Sequence, residues 1–224
     1  MNEQELIEYF EKNRFEGSEL LSGRKFNPRE MAFLTIAKKA FDENNFPLAI
    51  QYYSKAINEQ PLNWNSFSQR ATCYRMINQF DDSISDALES KKLDNNFTNN
   101  QILALCYLFK KEYQTAITYF DITINKIEEL ERNDINNMMP INYGATKSRA
   151  LNNQAVCYHN LKDFNQVIIC TSKGIEANPQ YSNNYFIRAM VYLEADRMAE
   201  GKQDLLNAAK YGDKRASKLL SQIG

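Results

Sequence analysis

The stretch FPLAIQYYSKAINEQP, Phe46 to Pro61, sets Ala49, Ile50, Tyr53, Ala56 and Ile57 along one face of a helix and then ends at a proline. The pattern returns at FDDSISDALESKKLDN, YQTAITYFDITINKIE, FNQVIICTSKGIEANP and, less completely, MAEGKQDLLNAAKYGD. The slot held by Ala49 is filled in these copies by Ser83, Ala116, Val167 and Gly201, at steps of 34, 33, 51 and 34 residues. Since 51 is 34 plus 17, a single period with one insertion organises the chain.

Upstream of each copy lies a second apolar segment: MAFLTIAKKAFDEN, NSFSQRATCYRMIN, TNNQILALCYLFKK, RALNNQAVCYHNLK and NNYFIRAMVYLEAD. Each carries a small residue, Ala37, Ala71, Ala104, Ala155 or Ala189, and three residues later Ala40, Tyr74, Tyr107, Tyr158 or Tyr192, which is helical spacing. Each unit is therefore a helix, a tight turn and a second helix. The alanines let two helix axes approach, while the tyrosines and Phe46, Phe80, Tyr113, Phe164 and Met198 fill the space between them.

These residues resemble the tetratricopeptide repeat family. Its succession of small, aromatic and alanine positions closed by proline is met by Ala37, Phe46, Ala49, Tyr53, Ala56 and Pro61, and later by Ala155, Tyr158, Phe164 and Pro179. Ala40 replaces the usual tyrosine. Asn95 stands where proline is usual in the second copy, Thr171 and Gly174 depart in the fourth, and Gly201 and Asp213 in the fifth. The resemblance implies an all-α fold, a right-handed superhelix (α-solenoid) of five units near 30–63, 64–96, 97–130, 148–181 and 182–213.

A terminal repeat must cover its exposed apolar face. Residues 214–224, with Ala216, Leu219, Leu220 and Ile223, read as a C-terminal capping helix. Residues 1–29 hold a short amphipathic helix with Leu6, Ile7 and Phe10, followed by an irregular connection; it is expected to cap the first repeat, the alternative being docking elsewhere or on a partner. The insertion covers 131–147. The preceding helix should run past Ile127 and Leu130 and break near Asn136 or Pro140, and the next should begin around Ala145, with Met138 and Met139 in a loop packed on its own helices or offered to a partner.

The 224 residues are 43% apolar, enough for a core without staples, and 27 basic against 28 acidic side chains leave a charge of −1. That balance gives no general attraction to nucleic acid or anionic membrane. The N-terminal residues do not read as a secretory signal and no apolar run reaches membrane-spanning length, so a soluble cytoplasmic protein is expected. Asparagine is abundant, which points to no particular function.

Cys73, Cys106 and Cys157 recur in one slot of three first helices, and Cys170 lies in a second helix, with no closely spaced thiol pair. They read as buried thiols in a reducing compartment rather than as metal ligands or disulfides. His159 has Cys157 two residues before it, on another face, and Asp163 four residues after it; no phosphate loop, metalloprotease motif or nucleophile elbow is present. No enzyme activity, cofactor or metal is expected.

The resemblance further implies a concave groove lined by the first helices that accepts a peptide or helix of another protein. The groove-facing slots are Met31, Leu34, Thr35, Lys38 and Phe41 in the first repeat and Asn65, Ser68, Gln69, Thr72 and Arg75 in the second. Thr98, Gln101, Ile102, Leu105 and Leu108 follow in the third. The fourth supplies Arg149, Asn152, Asn153, Val156 and His159, and the fifth Asn183, Phe186, Ile187, Met190 and Leu193. The carboxylate clamp of heat-shock co-chaperones would need basic and amide residues where Leu34, Lys38, Gln69, Thr98 and Ile102 stand, so it is largely absent. The expected partner-binding residues are Phe41, Leu105, Leu108, Phe186 and Met190 for apolar contact, with Gln69, Arg149, Asn152 and Asn153 aligning the partner backbone. Leu34, Phe41 and Phe186 have an alternative use, facing the N-terminal or C-terminal helix folded back into the groove. The function expected is a protein-interaction adaptor or scaffold, chaperone-like or an assembly factor. The alternatives are a self-associating structural protein, using an isologous contact to form a homo-oligomer, and an RNA-binding solenoid built on the basic cluster Lys210, Lys214, Arg215 and Lys218.

Overall fold

The computed structural model describes residues 1–13, 26–133 and 143–223, and among them it contains twelve helices and no strand. Five pairs of helices, each joined by a tight turn, follow one another along the chain: α2 (Pro28–Asp42) and α3 (Phe46–Glu59), α4 (Trp64–Met76) and α5 (Phe80–Leu93), α6 (Phe97–Phe109) and α7 (Tyr113–Asn133), α8 (Gly144–Asn160) and α9 (Phe164–Ala177), and α10 (Ser182–Glu194) and α11 (Met198–Lys210). They are flanked by α1 (Glu3–Lys12) and α12 (Lys214–Ile223). The chain divides into two compact units, Met1–Cys106 and Tyr107–Gly224.

Every hairpin turn is built the same way. One residue enters the left-handed region, Asn44 (φ 59°), Asn78 (61°), Lys111 (64°), Lys162 (59°) and Asp196 (57°). The next N–H then reaches back five residues to a first-helix carbonyl, as in Asn45 to Ala40 (2.8 Å), Gln79 to Tyr74 (2.9 Å) and Arg197 to Tyr192 (2.8 Å). This is the hydrogen bond that stops a helix and satisfies its orphan carbonyls. Asparagine and aspartate tolerate this backbone because their short polar side chains bond locally. Asparagine also supplies the N-caps of α1 to α4, where Asn2, Asn27, Asn45 and Asn63 accept from N–H groups of the first turn. Part of the asparagine content that carried no weight in the sequence is thereby explained.

In the first unit, Ala37, Ala40, Ala49, Tyr53 and Cys73 form a closed core against which Leu34, Phe41 and Phe46 pack. Burial pushes the Tyr53 hydroxyl up to about 12. Helix α1 lies against this first hairpin: Leu6 is buried, and Glu3 Oε2 accepts from Lys55 Nζ (2.7 Å) and Tyr52 OH (3.0 Å). Successive hairpins are also joined by a polar bridge. Arg70 of α4 donates from Nε and Nη2 to both oxygens of Asp86 in α5 (2.7 Å each) and from Nη1 to Ser54 Oγ in α3 (2.8 Å).

In the second unit the same bridge recurs. Arg188 of α10 grips Asp204 of α11 (2.7 and 2.9 Å) and Ser172 of α9 (2.8 Å). A neutral version stands in the preceding hairpin, where Gln154 donates to Asp121 (2.6 Å) and accepts from the Cys170 thiol (3.4 Å). The insertion is largely helical on both flanks, since α7 runs to Asn133 and α8 starts at Gly144. Lys147 ties the two together through Glu128 (3.0 Å) and Glu131 (3.1 Å). Met138, Met139 and the expected break near Asn136 or Pro140 lie outside the described residues.

Helix α12 covers the last hairpin with buried Ala216 and with Leu219 and Leu220, which pack against Tyr185, Ala189 and Leu205. Its cap is Asp213, the residue found in place of proline: Oδ1 accepts from the N–H of Arg215 (2.9 Å) and Ala216 (3.3 Å), and Oδ2 pairs with the Arg215 guanidinium (2.5 Å). The Arg215 side chain first, and these N–H groups after it, hold the carboxyl below the usual aspartate range against the opposing effect of burial. A folded-state pKa below the unfolded one means that the stabilisation is complete above the unfolded value and is lost as pH falls through the folded one. Asp213→Ala should therefore lower the unfolding free energy by about 1–2 kcal/mol at neutral pH. In urea titrations the gap from wild type should narrow as the pH drops below about 4.

Candidate functional site

The first helices of the hairpins carry the side chains expected to meet a partner. In the second unit, α8 and α10 run side by side, and Val156, His159, Ile187 and Met190 enclose an apolar cleft of about 180 Å³. All four occupy groove slots, three residues apart within each helix, so the helical repeat presents them together. Met190 is 39% exposed, and His159 is exposed with its ring edge-on to Phe164 at 5.7 Å. Such a cleft accepts one apolar side chain, whose full burial contributes roughly 1.5–3 kcal/mol.

Nine residues carried the sequence expectation, and the structure treats them differently. Met190 lines the cleft, Arg149 is exposed and Asn153 is half-buried. Asn152 is in the core instead: it is 4% exposed, and its Nδ2 donates to Asn184 Oδ1 at 3.0 Å, so its amide is spent on the fold rather than offered to a partner backbone. Phe186 is half-buried beneath α12, with the Arg215 guanidinium 4.1 Å over its ring. In the first unit Phe41 packs on the hairpin core, edge-on to Phe46 at 5.6 Å, and Gln69 is half-buried with its Nε2 3.5 Å from Asn65 Oδ1. Leu105 and Leu108 are half-buried on α6. Sequence reasoning placed Val156, His159 and Ile187 in groove slots but did not single them out. The signal available was their spacing opposite Met190.

A larger cavity of about 590 Å³ lies among α7, α8 and α9, lined by Asp121, Glu128, Glu131, Lys147, Gln154 and neighbours. Its polar groups are already committed to one another, Lys147 to Glu128 and Glu131 and Gln154 to Asp121, which leaves it little to offer a ligand. The clamp positions are likewise unfit: Ile102 is buried, Leu34 packs on the core, and Lys38 pairs with Asp42 at 3.3 Å. Asp163 caps α9 by accepting from the Gln166 N–H (3.2 Å) and Cys157 is buried, so His159 gains neither an orienting acid nor a nucleophile from the residues beside it. Among the described residues no His, Cys, Asp and Glu cluster could hold a metal ion, and no helix is long and apolar enough to cross a membrane.

No family model matches the chain. A segment of it is 32% identical over 78 residues to Hsp70-Hsp90 organizing protein 3 of Arabidopsis thaliana, covering 34% of this chain and 14% of that protein. The chain thus spans only a small part of the relative it matches. Among solved structures it is similar to MamA, with a TM-score of 0.66 at 18% identity over 84% of this chain and 94% of that one. It is similar also to YrrB, described as a TPR protein with an unusual peptide-binding site, with a TM-score of 0.65 at 11% identity over 99% and 100% of the two chains.

Proposed function

We propose that this chain, whose fold is that of the tetratricopeptide repeat proteins, is a non-enzymatic interaction adaptor that holds a peptide or helical segment of a partner protein against its first helices. The observation that carries this reading is the apolar cleft of Val156, His159, Ile187 and Met190, open on the helix faces where the repeat pattern expects a ligand. The peptide-binding site named for YrrB and the organizing role named for the Arabidopsis relative support it. A chaperone-linked or assembly setting in the reducing cytoplasm is part of the same reading, and the four buried thiols suit it. Three or four apolar anchors of this kind, at roughly 1.5–3 kcal/mol each, joined by hydrogen bonds to the partner backbone, bring the affinity toward the micromolar range after the cost of association.

The test is selection of peptides from a random display library on the full chain, followed by fluorescence anisotropy on the synthetic winners. Met190→Glu should weaken their binding about tenfold or more by putting a charge where an apolar side chain docks. Because Met190 is exposed, the melting temperature should change little. Selected peptides that bind Met190→Glu as tightly as wild type would remove the cleft from the binding surface.

A further inference from the structure

The groove slots of α10 run along one helical face through Asn183, Phe186 and Met190, and a single side chain from α12 lies on the first two. The Arg215 guanidinium stands 4.1 Å over the Phe186 ring, and its Nη2 donates to Asn183 Oδ1 at 2.6 Å, 32 residues away in sequence. Its third partner is Asp213, met at Oδ2 by Nη2 (2.5 Å) and at Oδ1 by Nε (3.1 Å). Each of these three groups is aimed by the fold. The Asn183 amide donates from Nδ2 to the Tyr181 hydroxyl (3.2 Å), which turns its Oδ1 toward the guanidinium. Asp213 is fixed by the two N–H groups it accepts at the start of α12, and its side chain is 4% exposed. Phe186 packs on the core of the last hairpin. With Arg215 lifted away, an aromatic face, an amide carbonyl and a carboxylate converge on one point, the set of groups that a planar cation requires. That point is at the surface, because the Arg215 side chain filling it is 58% exposed.

We infer that Phe186, Asn183 and Asp213 form a subsite for a basic side chain of the bound polypeptide, arginine above all, and that Arg215 fills it in the unbound chain as an internal stand-in that the partner displaces. The inference rests on the adaptor reading above and adds to it the chemistry of the ligand and a threshold for binding. Phe186 lies one helical turn from Met190. An extended segment whose apolar side chain enters the cleft at Met190 therefore carries a residue about two positions away to the place that Arg215 holds. The internal guanidinium has the advantage of its tether and the partner's has its anchor in the cleft, so the two compete for one seat. Occupation by the chain's own group lowers the apparent affinity in proportion to the fraction of molecules whose seat is free. Selectivity follows. A segment with an apolar anchor alone gains nothing by evicting Arg215, whereas one with arginine at the right spacing replaces the hydrogen bonds it breaks.

The first test needs no partner. Arg215→Ala should melt about 2–4 °C below wild type, and N-acetylargininamide at about 10 mM should return about half of that shift while leaving wild type unmoved. The citrulline analogue, of the same shape but uncharged, should return none of it. If argininamide moves Arg215→Ala no more than it moves wild type, the three groups are not a receptor for a cation and the inference falls. The second test runs the display selection on wild type and on Arg215→Ala. Peptides selected on the variant should carry arginine or lysine near the apolar anchor and bind the variant about tenfold more tightly than wild type. Changing that basic residue to citrulline, or adding Phe186→Leu, should abolish the gain. Arg215→Gln removes the charge but keeps part of the stem over α10, and should behave as Arg215→Ala does. Equal affinity for wild type and both Arg215 variants, with Met190→Glu still weakening binding, overturns this inference and leaves the adaptor reading standing. Tighter binding by wild type than by both variants makes Arg215 a contact to the partner and overturns it as well. Failure of every chain to select a peptide overturns the adaptor reading, and the displacement with it.

Discussion

Arg188→Ala is expected to lower the unfolding free energy by about 3–5 kcal/mol, because it strands a buried carboxylate. Asp204 is 5% exposed on its side chain and receives both of its arginine hydrogen bonds from Arg188, so the truncation removes its partners without letting water take their place. It also frees Ser172 Oγ, which joins α9 to the following hairpin. The double variant Arg188→Met, Asp204→Leu should recover most of that loss, since an apolar pair of similar volume replaces a desolvated ion pair at little net cost. Urea unfolding of the two single variants and the double variant checks the cycle. A near-additive double variant would show that the ion pair is solvated in solution.

Gly174→Ala is expected to cost about 2–4 kcal/mol, although alanine is the better helix former by about 1 kcal/mol and the repeat pattern asks for it. A Cβ at Gly174 would lie 2.4 Å from Asn184 Nδ2 and 2.8 Å from its Cγ. Asn184 cannot move aside. It is fully buried, donates to Ser148 Oγ (2.8 Å) and accepts from Asn152 (3.0 Å), while Ser148 donates in turn to the Gly174 carbonyl (2.8 Å). The added methyl must break this closed set and leave buried polar atoms without partners. Gly201→Ala is the internal comparison: a Cβ there meets Leu193 Cδ2 at 2.7 Å and Cγ at 2.8 Å and the Ala189 carbonyl oxygen at 3.3 Å. An apolar side chain must repack but holds no side-chain hydrogen bond to break, so the cost should be smaller, about 1–2 kcal/mol. Thermal unfolding of the two variants should separate them by several degrees.

The architecture was legible because its signals are local and repeat. Small residues in the Ala37 and Ala49 slots are the points where helices touch, so a volume constraint is written into every copy. The turn residues from Asn44 to Asp196 fall at the same steps as that slot. The polar bridges were equally visible in principle: serine, arginine and aspartate stand at 16-residue intervals in Ser54, Arg70 and Asp86 and again in Ser172, Arg188 and Asp204. Apolar periodicity does not reveal them, because each bridge joins polar residues of three different helices. The candidate site was less legible. A slot number fixes the direction in which a side chain leaves its helix, but the size of its neighbours decides whether it reaches solvent. Asn152 points as expected and is nonetheless enclosed, because Gly174 leaves room for Asn184 to reach it. Phe186 is groove-facing by its slot, but the reach of Arg215 across it is a property of three dimensions that no pattern of residue types contains.

The four cysteines give the chain a built-in clock. Cys73 and Cys106 sit in the first unit and Cys157 and Cys170 in the second, all buried. Burial pushes the thiols of Cys73, Cys157 and Cys170 up to about 12, so almost no nucleophilic thiolate exists at neutral pH while the helices stay closed. An alkylating reagent then reacts at the tempo at which each hairpin opens. The two units each have a compact body of their own, so those tempos need not agree. Mass spectrometry of the tagged fragments would therefore time the breathing of each half of the molecule separately, with no label added by design.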